Sequence, residues 1–125
     1  MSCLFCEIPK ENIVKSTERV FAIKDRYPVT EGHLLIIPKA HRVDFFQLTS
    51  EELKETNELL RFFKDKILKD DPRVTGFNIG ANCGEDAGQT ILHSHIHLIP
   101  RRKGDDPSPR GGVRAVVPGK KSYSA

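Results

Sequence analysis

Residues 89–100 constrain the fold of this chain more than any other stretch. Three histidines, His93, His95 and His97, stand at alternate positions in an apolar run that ends at a proline. Alternation with a period of two is typical of a β-strand. Because successive side chains of a strand point to opposite faces, the pattern predicts three imidazoles on one face. The side chains expected to face a core are Ser94, Ile96 and Leu98.

The spacing of the three histidines excludes one metal ion shared by all of them. At a strand rise of about 3.3 Å per residue, the Cα atoms of His93 and His97 lie about 13 Å apart. Zinc lies only about 2 Å from a ring nitrogen, so a tetrahedral ion reaches a neighbouring pair at most. The rings therefore divide their roles among nucleophile, proton carrier and ligand. The alternative is an edge strand with solvated histidines, which is costly among apolar neighbours.

Three segments of the sequence resemble one family. His-x-His-x-His followed by apolar residues resembles the signature of the histidine triad (HIT) nucleotide hydrolases and transferases. Asn82, Gly84 and residues 87–90 resemble the loop that the family has just before it. Residues 32–39, Gly-His-Leu-Leu-Ile-Ile-Pro-Lys, resemble a second strand of the family that carries its own histidine. The three segments occur in the family's order and span most of the chain.

The resemblance implies a role for each polar residue of the site. His95 is expected to attack the α-phosphorus of a nucleotide through one ring nitrogen, while the other donates to the backbone carbonyl of His93. His97 would face the phosphate oxygens or the leaving group, and His33 would support the triad. The residues expected around the nucleotide are Phe5 and Ile8 at the base, Asp25 at the ribose, and Asn82, Gly88, Gln89 and Thr90 at the phosphates. Core packing is the alternative for the first two, and hydrogen bonding within the loop for Gln89 and Thr90.

Cys3 and Cys6 form a C-x₂-C pair, which is half of a zinc site. His41 and one triad histidine are the candidates for the other half. The resemblance implies His93, because the zinc-holding HIT branches use two N-terminal cysteines, a histidine after the Pro-Lys segment and the first triad histidine. A closed Cys₂His₂ site is structural rather than catalytic. The alternative is a pair of free thiols, and Cys83 has no evident partner.

The chain as a whole predicts one α+β domain over residues 1–125: an antiparallel sheet of about five strands with one long and one short helix. Besides the histidine-bearing run, strands are expected at 13–14, 19–24, 33–38 and 74–81. Thr49 and Glu52 form a capping box for a helix of about 20 residues that stops before Pro72. Its buried stripe is expected at Leu53, Leu60, Phe63 and Ile67, with Glu55 among the residues of its polar faces.

The net charge of +3 is unevenly spread. Seven Lys or Arg and two Asp follow Pro100, which leaves +5 on the tail, residues 101–125, and −2 on the rest. Arg101 and Arg102 could bring positive charge to a phosphate substrate, although a solvated tail explains them equally well. Basic tails also bind nucleic acid electrostatically. Tyr123 is the only aromatic residue of this one, and no specific nucleic acid partner is expected.

The composition of the sequence indicates where in the cell the protein is expected. An apolar run of 18 residues and a signal pattern are both lacking, and the cysteines are odd in number. A cytoplasmic protein without a membrane partner is therefore expected. The resemblance implies a purine nucleotide or dinucleoside polyphosphate as ligand, and a homodimer, which family members commonly form.

The leading hypothesis is a nucleotide hydrolase that cleaves at the α-phosphate of a dinucleoside polyphosphate through a covalent nucleotidyl-histidine. Residues 100–102 and 110–114 resemble bacterial HIT hydrolases of this kind. A nucleoside phosphoramidase or a nucleotidyl transferase would use the same intermediate. An alternative from another class is a zinc-stabilised module that binds nucleotides without turning them over.

Overall fold

A computed structural model describes residues 3–123, so residues 1–2 and 124–125 of the predicted domain and tail lie outside the described range. A five-stranded antiparallel sheet forms the centre of the fold, with strand order β1-β2-β3-β5-β4. The strands are Ile13–Ser16 (β1), Val20–Lys24 (β2), Leu34–Pro38 (β3), Val74–Gly80 (β4) and Ile96–Arg102 (β5). One long helix, Ser50–Asp70 (α1), joins β3 to β4, and a turn of 3₁₀ helix at Leu4–Glu7 is the short one. The predicted fold class is confirmed.

The two faces of the sheet are covered by different parts of the chain. Strands β2 and β3 are apolar at successive positions, because side chains on both of their faces are buried. One face packs on α1 through Leu59 and Phe63. The other face is covered by the N-terminal segment, with Phe5 as its buried anchor. Within residues 3–123, no helix is both long and apolar enough to cross a membrane.

Helix α1 begins at the predicted capping box. Thr49 Oγ1 accepts a hydrogen bond from the backbone N–H of Glu52 at 3.1 Å, and Glu52 Oε1 accepts one from the N–H of Thr49 at 2.8 Å. Two donors that the first turn leaves free are thereby satisfied.

The buried stripe of α1 is only partly as predicted. Phe63 is buried, but Leu53 is 39% exposed, and Leu59 at 1% exposure occupies the core instead. Glu55 is buried as well, against the expectation of a polar face. The reason is tertiary: the turn between β1 and β2 packs on this part of the helix, and Thr17 and Arg19 donate hydrogen bonds to the Glu55 carboxylate. These bonds lower the pKa of Glu55 to about 2.

Strand β5 begins later than the alternating pattern suggests. Its first residue is Ile96, so His93 and His95 precede the strand in an irregular segment. The backbone N–H of Ser94 donates to the carbonyl of Arg42 at 2.7 Å instead of joining the sheet. His97 lies within β5, opposite Leu35 of β3 and Gly80 of β4. The predicted core-facing set, Ser94, Ile96 and Leu98, is buried.

The described part of the basic tail folds back on the domain. A 3₁₀ turn at Gly112–Val116 lies against β4. Arg101 pairs with Asp105 at 2.8 Å, and Arg102 pairs with Asp71 at 2.9 Å. Both arginines expected near a phosphate therefore already have carboxylate partners.

Candidate active site

His95 is held in one tautomer by a backbone carbonyl. Its Nδ1 lies 2.9 Å from the oxygen of His93, and because a carbonyl has no proton to give, Nδ1 is the donor. Neutral His95 therefore carries a free lone pair on Nε2, the nitrogen that can attack. The hydrogen bond expected from the family resemblance is present. The edge of the Phe5 ring packs against the imidazole, with ring centroids 5.1 Å apart.

A relay of hydrogen bonds orients His33 and His97. The N–H of Val29 donates to His33 Nδ1 at 3.0 Å, so neutral His33 carries its proton on Nε2. That atom lies 2.9 Å from His97 Nδ1 and donates to it. Neutral His97 then carries its own proton on Nε2. The hydrogen bonds therefore fix the tautomer of His97 next to His95, because the centroids of the two rings are 5.3 Å apart.

Burial keeps both supporting histidines neutral. It lowers the pKa of His97 to about 4, with the nearby rings of His95 and His33 acting in the same direction. Burial also lowers the pKa of His33, against the opposing charge of Asp25. At pH 7, His97 is therefore a hydrogen-bond donor without a net charge.

Asp25 lies at the end of β2, next to this relay. Its Oδ1 accepts a hydrogen bond from the N–H of Tyr27 at 2.7 Å, and its Oδ2 is 3.4 Å from His33 Nε2. Asp25, His33 and His97 are close enough together to suggest a metal site. The contact from Val29 argues against it, because it makes Nε2 of neutral His33 a protonated nitrogen. Asp25 therefore faces the two rings as a hydrogen-bond acceptor.

The loop between β4 and β5 is held by the Gln89 side chain. Gln89 is 6% exposed; its amide donates to the carbonyls of Val43 and Ile91, and its Oε1 accepts from the N–H of Gly84. The structure therefore supports the interpretation of Gln89 as a residue whose side chain hydrogen-bonds to the backbone of the chain rather than to a ligand. Gly88 has a φ of 93°, which favours glycine over other residues. Within residues 3–123, the side chains of Asn82 and Thr90 make no hydrogen bond, so their donors remain available to a ligand.

Phe5 and Ile8 differ in exposure. Phe5 is 5% exposed and belongs to the core beneath the triad, so core packing describes it. Ile8 packs against the same core but is only half-buried. Of the two, Ile8 has the surface available to a ligand.

Four side chains form a second cluster beside the triad. His93 Nδ1 lies 3.4 Å from Cys3 Sγ and 3.5 Å from Cys6 Sγ, and His41 Nδ1 lies 3.3 Å from Cys6 Sγ. All four candidate ligand atoms lie within 4.8 Å of one another. In a tetrahedral zinc site with bonds of about 2.3 Å to sulfur and 2.0 Å to nitrogen, sulfur and nitrogen are about 3.5 Å apart. The cluster fits a zinc ion.

The chemistry of His93 also fits this group. Its Nε2 donates to the carbonyl of Pro38 at 2.8 Å, so its Nδ1 faces the two thiols without a proton. The ring is completely buried, which lowers its pKa and keeps it in the neutral form that binds zinc. Although Cys6 is exposed, local desolvation and the proximity of Cys3 raise the pKa of its thiol. A cation at the cluster would offset that effect by favouring the thiolate.

Several hydrogen-bonding groups of the site belong to the backbone, so a search of the sequence for functional side chains does not find them. The partners of His93, His33 and His95 are a backbone carbonyl, a backbone N–H and another backbone carbonyl. Every residue has these groups, so no sequence signal identifies them.

Comparisons with known proteins indicate one family. The HIT domain family model matches residues 7–104. The crystal structure of a Zn-bound histidine triad family protein from Mycobacterium smegmatis superposes with a TM-score of 0.75 at 33% identity, covering 86% of this chain and 80% of that one.

Two relatives carry names that state an activity. An adenosine 5'-monophosphoramidase of Candida albicans is 33% identical over 109 residues, 81% of this chain and 71% of that protein. An AP-4-A phosphorylase of Mycobacterium tuberculosis is also 33% identical over 109 residues, 81% of this chain and 54% of that protein. The match to the domain model covers well over half of the sequence, and this chain therefore belongs to the HIT family.

Proposed function

We propose that this protein is a nucleotide hydrolase that works through a covalent intermediate on His95. Nε2 of His95 attacks the α-phosphorus of a dinucleoside polyphosphate, and the bond from that phosphorus to the bridging oxygen breaks. The remaining phosphate chain leaves with the bonding electrons. Water then attacks the phosphorus, the N–P bond breaks, and the nucleoside monophosphate is released. The observation that carries the proposal is the 2.9 Å hydrogen bond from His95 Nδ1 to the His93 carbonyl, because it leaves Nε2 unprotonated.

His97 is proposed to stabilise the charge that develops on the phosphate. Its Nδ1 accepts from His33, so its Nε2–H is available as a donor for a phosphate oxygen or the leaving oxygen. With a pKa of about 4, the ring donates a hydrogen bond more readily than a whole proton at pH 7. A polyphosphate is a stable anion that leaves without a proton, which supports this substrate class.

The remaining contacts of the nucleotide are proposed from the available groups. The Asp25 carboxylate is suited to accept from ribose hydroxyls, and the half-buried Ile8 to contact the base. Asn82, Thr90 and the backbone at Gly88 would donate to phosphate oxygens, with Gln89 holding the loop in shape. Phe5 would act from below, by packing against His95.

A nucleoside phosphoramidate is the second candidate substrate. It is supported by the relative named as an adenosine 5'-monophosphoramidase. The attack is the same, but a P–N bond breaks and the amine must leave with a proton. A nucleotidyl transferase would differ only in the acceptor of the second step, and a binding module would lack turnover.

We also propose a structural zinc ion held by Cys3, Cys6, His41 and His93. When bound, zinc would cross-link the N-terminal segment to the end of β3 and to the triad. The Zn-bound relative and the distances in the cluster support this. Thiols that hold zinc must stay reduced, which is our reason for proposing a cytoplasmic setting.

Pairing of two copies is the last part of the proposal. Over residues 3–123 the sheet ends on β4, and Ile79 of that strand is 52% exposed. An open edge with an exposed apolar residue is suited to pairing. Sedimentation equilibrium tests the homodimer, and a monomer at every concentration would contradict it.

The test of function compares the wild type with His95→Ala. We expect the wild type to release AMP from diadenosine tetraphosphate faster than from an adenosine phosphoramidate, and the variant to lose turnover by at least about 10³-fold. AMP binding by the variant, measured by calorimetry, serves as its control for folding. Unchanged turnover in the variant would refute the nucleophile, and a wild type that binds AMP but turns over neither substrate would favour the binding module.

A further inference from the structure

The segment 41–43, between β3 and α1, supports the triad from outside the sheet. The carbonyl of Arg42 accepts from the N–H of Ser94 at 2.7 Å. The carbonyl of Val43 accepts from the Gln89 amide at 2.6 Å, and the N–H of Val43 donates to Gln47 at 2.7 Å. The backbone of this short segment therefore holds both the triad and the loop before it.

The contact to Ser94 acts on the nucleophile through a single peptide unit. The N–H of Ser94 and the C=O of His93 belong to the same planar peptide group, so fixing one fixes the direction of the other. The His93 carbonyl is the acceptor for His95 Nδ1. The carbonyl of Arg42 thus helps to determine where the attacking ring of His95 lies.

The side chain of Arg42 is held in turn by a buried carboxylate. Its Nε lies 3.0 Å and 3.2 Å from the two oxygens of Glu52, which is 3% exposed. Burial opposes ionisation of Glu52, but hydrogen bonds from Arg42 and Thr49 leave its pKa below the ordinary value. The Arg42 side chain is 34% exposed, so the buried member of the pair is Glu52, and the pair ties the partly exposed Arg42 to a buried carboxylate.

We propose that Arg42 and Glu52 are positioning residues for catalysis: their ion pair fixes the backbone of Arg42, which orients the His93–Ser94 peptide and through it His95. This inference rests on the proposed function, because its kinetic consequence needs a reaction at His95. Neither side chain has to touch the substrate. The role of Glu52 therefore extends beyond its capping box.

Helix α1 offers a matched control in Glu55. Glu55 is also buried, and it pairs with Arg19 at 2.7 Å. It likewise accepts from a backbone N–H, that of Arg19. Its partners, however, belong to the turn between β1 and β2. Loss of its charge disturbs a comparable ion pair, and the hydrogen bonds of Glu55 go to Thr17 and Arg19 rather than to residues 41–43.

The experiment compares Glu52→Gln with Glu55→Gln in the full, zinc-loaded chain. Glutamine retains the size of Glu52 and can still serve in the capping box, but it lacks the charge. We expect Glu52→Gln to lower kcat by about tenfold or more with KM within about threefold, since small misplacement of a reacting group is costly. Glu55→Gln should keep kcat within about twofold of the wild type. This should hold even if its unfolding temperature falls by as much as that of Glu52→Gln. Equal losses of kcat in the two variants would overturn the proposal.

Amide hydrogen exchange at Ser94, followed by NMR, is a readout independent of substrate. We expect exchange of this one N–H to be faster by about tenfold in Glu52→Gln and unchanged in Glu55→Gln. Arg42→Lys, which retains the charge, should recover part of the protection that Arg42→Met loses. If the wild type shows no turnover, the proposed function is refuted. The exchange rate at Ser94 still tests whether the ion pair orients the His93–Ser94 peptide. Unchanged protection of Ser94 in Glu52→Gln would overturn that role.

Discussion

The backbone oxygen of Pro38 lies 2.8 Å from Nε2 of His93, so the last residue of β3 holds a triad histidine by its ring. The opposite nitrogen of that ring faces the two cysteines, and the carbonyl of the same residue holds His95. One residue therefore connects the sheet, the candidate metal cluster and the proposed nucleophile. This arrangement would connect the cluster to the proposed reaction, although no ligand of it touches the substrate in our proposal.

Loss of the thiols should remove the metal and weaken the fold. In the double variant Cys3→Ser, Cys6→Ser we expect zinc content near zero, because two of four ligands are gone. The lost binding free energy should lower the unfolding temperature by roughly 5–10 °C, equivalent to about 2 kcal/mol. Elemental analysis and calorimetry check both. Cys83→Ser is the control and should retain the metal, whereas full occupancy in the double variant would refute the ligand set.

Stability should fall as the pH drops from about 6.5 towards 4. His97 has a pKa of about 4 in the folded protein, below its ordinary value of 6.5, so the unfolded chain binds the proton more readily in this range. Its contribution is complete above the unfolded pKa and is lost as pH falls through the folded one. After allowance for partial exposure we expect on the order of 1–2 kcal/mol.

Urea unfolding of the wild type and His97→Gln at several pH values measures this contribution. The variant should show a shallower decline in the free energy of unfolding between pH 6.5 and 4, since it lacks the titrating ring. The decline that remains is expected from His33 and His93, whose pKa values are lowered in the same direction. Identical slopes for the two proteins would contradict the assignment to His97.

Much of the fold was predictable, because its signals are local. The alternating histidines, the apolar runs of β2 and β3 and the capping box at Thr49 each carry their own physical cause in the sequence. The start of β5 was not predictable, since it depends on Ser94 bonding to Arg42, which lies 52 positions earlier in the chain. Burial of Glu55 likewise depends on a distant turn, and polar residues carry no signal for such a partner.

The side chains of the candidate site that the structure brings together could be predicted from the sequence, but their backbone partners could not. Family resemblance indicated the triad, and the C-x₂-C spacing indicated half of the cluster. The sequence did not indicate that Arg101 and Arg102 form ion pairs with carboxylates of the chain, because ion pairing depends on where the tail folds. The role of Gln89 was ambiguous in the sequence, because an amide side chain can hydrogen-bond within a loop or to a ligand equally well.

Removing the hydroxyl of Ser94 should not destabilise the protein. Ser94 Oγ is buried and has no hydrogen-bond partner in the described part of the chain. Ser94→Ala deletes this unpaired polar atom and keeps the backbone bond to Arg42, so we expect the free energy of unfolding to stay constant or rise by up to about 1 kcal/mol. Chemical denaturation measures it. A loss of more than about 1 kcal/mol would indicate a hydrogen bond to the hydroxyl.

Neutralising the paired arginines should affect stability more than substrate affinity. Arg102 and Asp71 form an ion pair in which both side chains are largely buried, and Arg101 contacts both Asp105 and Asn78. We expect Arg101→Met and Arg102→Met each to lower the free energy of unfolding by about 1 kcal/mol or more. KM for diadenosine tetraphosphate should change by less than about threefold. A tenfold rise in KM would instead support contact with distal phosphates.

Mass spectrometry of an alkali-quenched reaction, in which a phosphorus–histidine bond survives, tests the central claim most directly. We predict that the wild type, mixed with diadenosine tetraphosphate and stopped within one turnover, carries one adenylyl group on the peptide that contains His95. In His95→Ala the same peptide should carry none. Turnover without any adduct on that peptide in the wild type, or an adenylylated peptide in the variant, would contradict a nucleophilic role for His95.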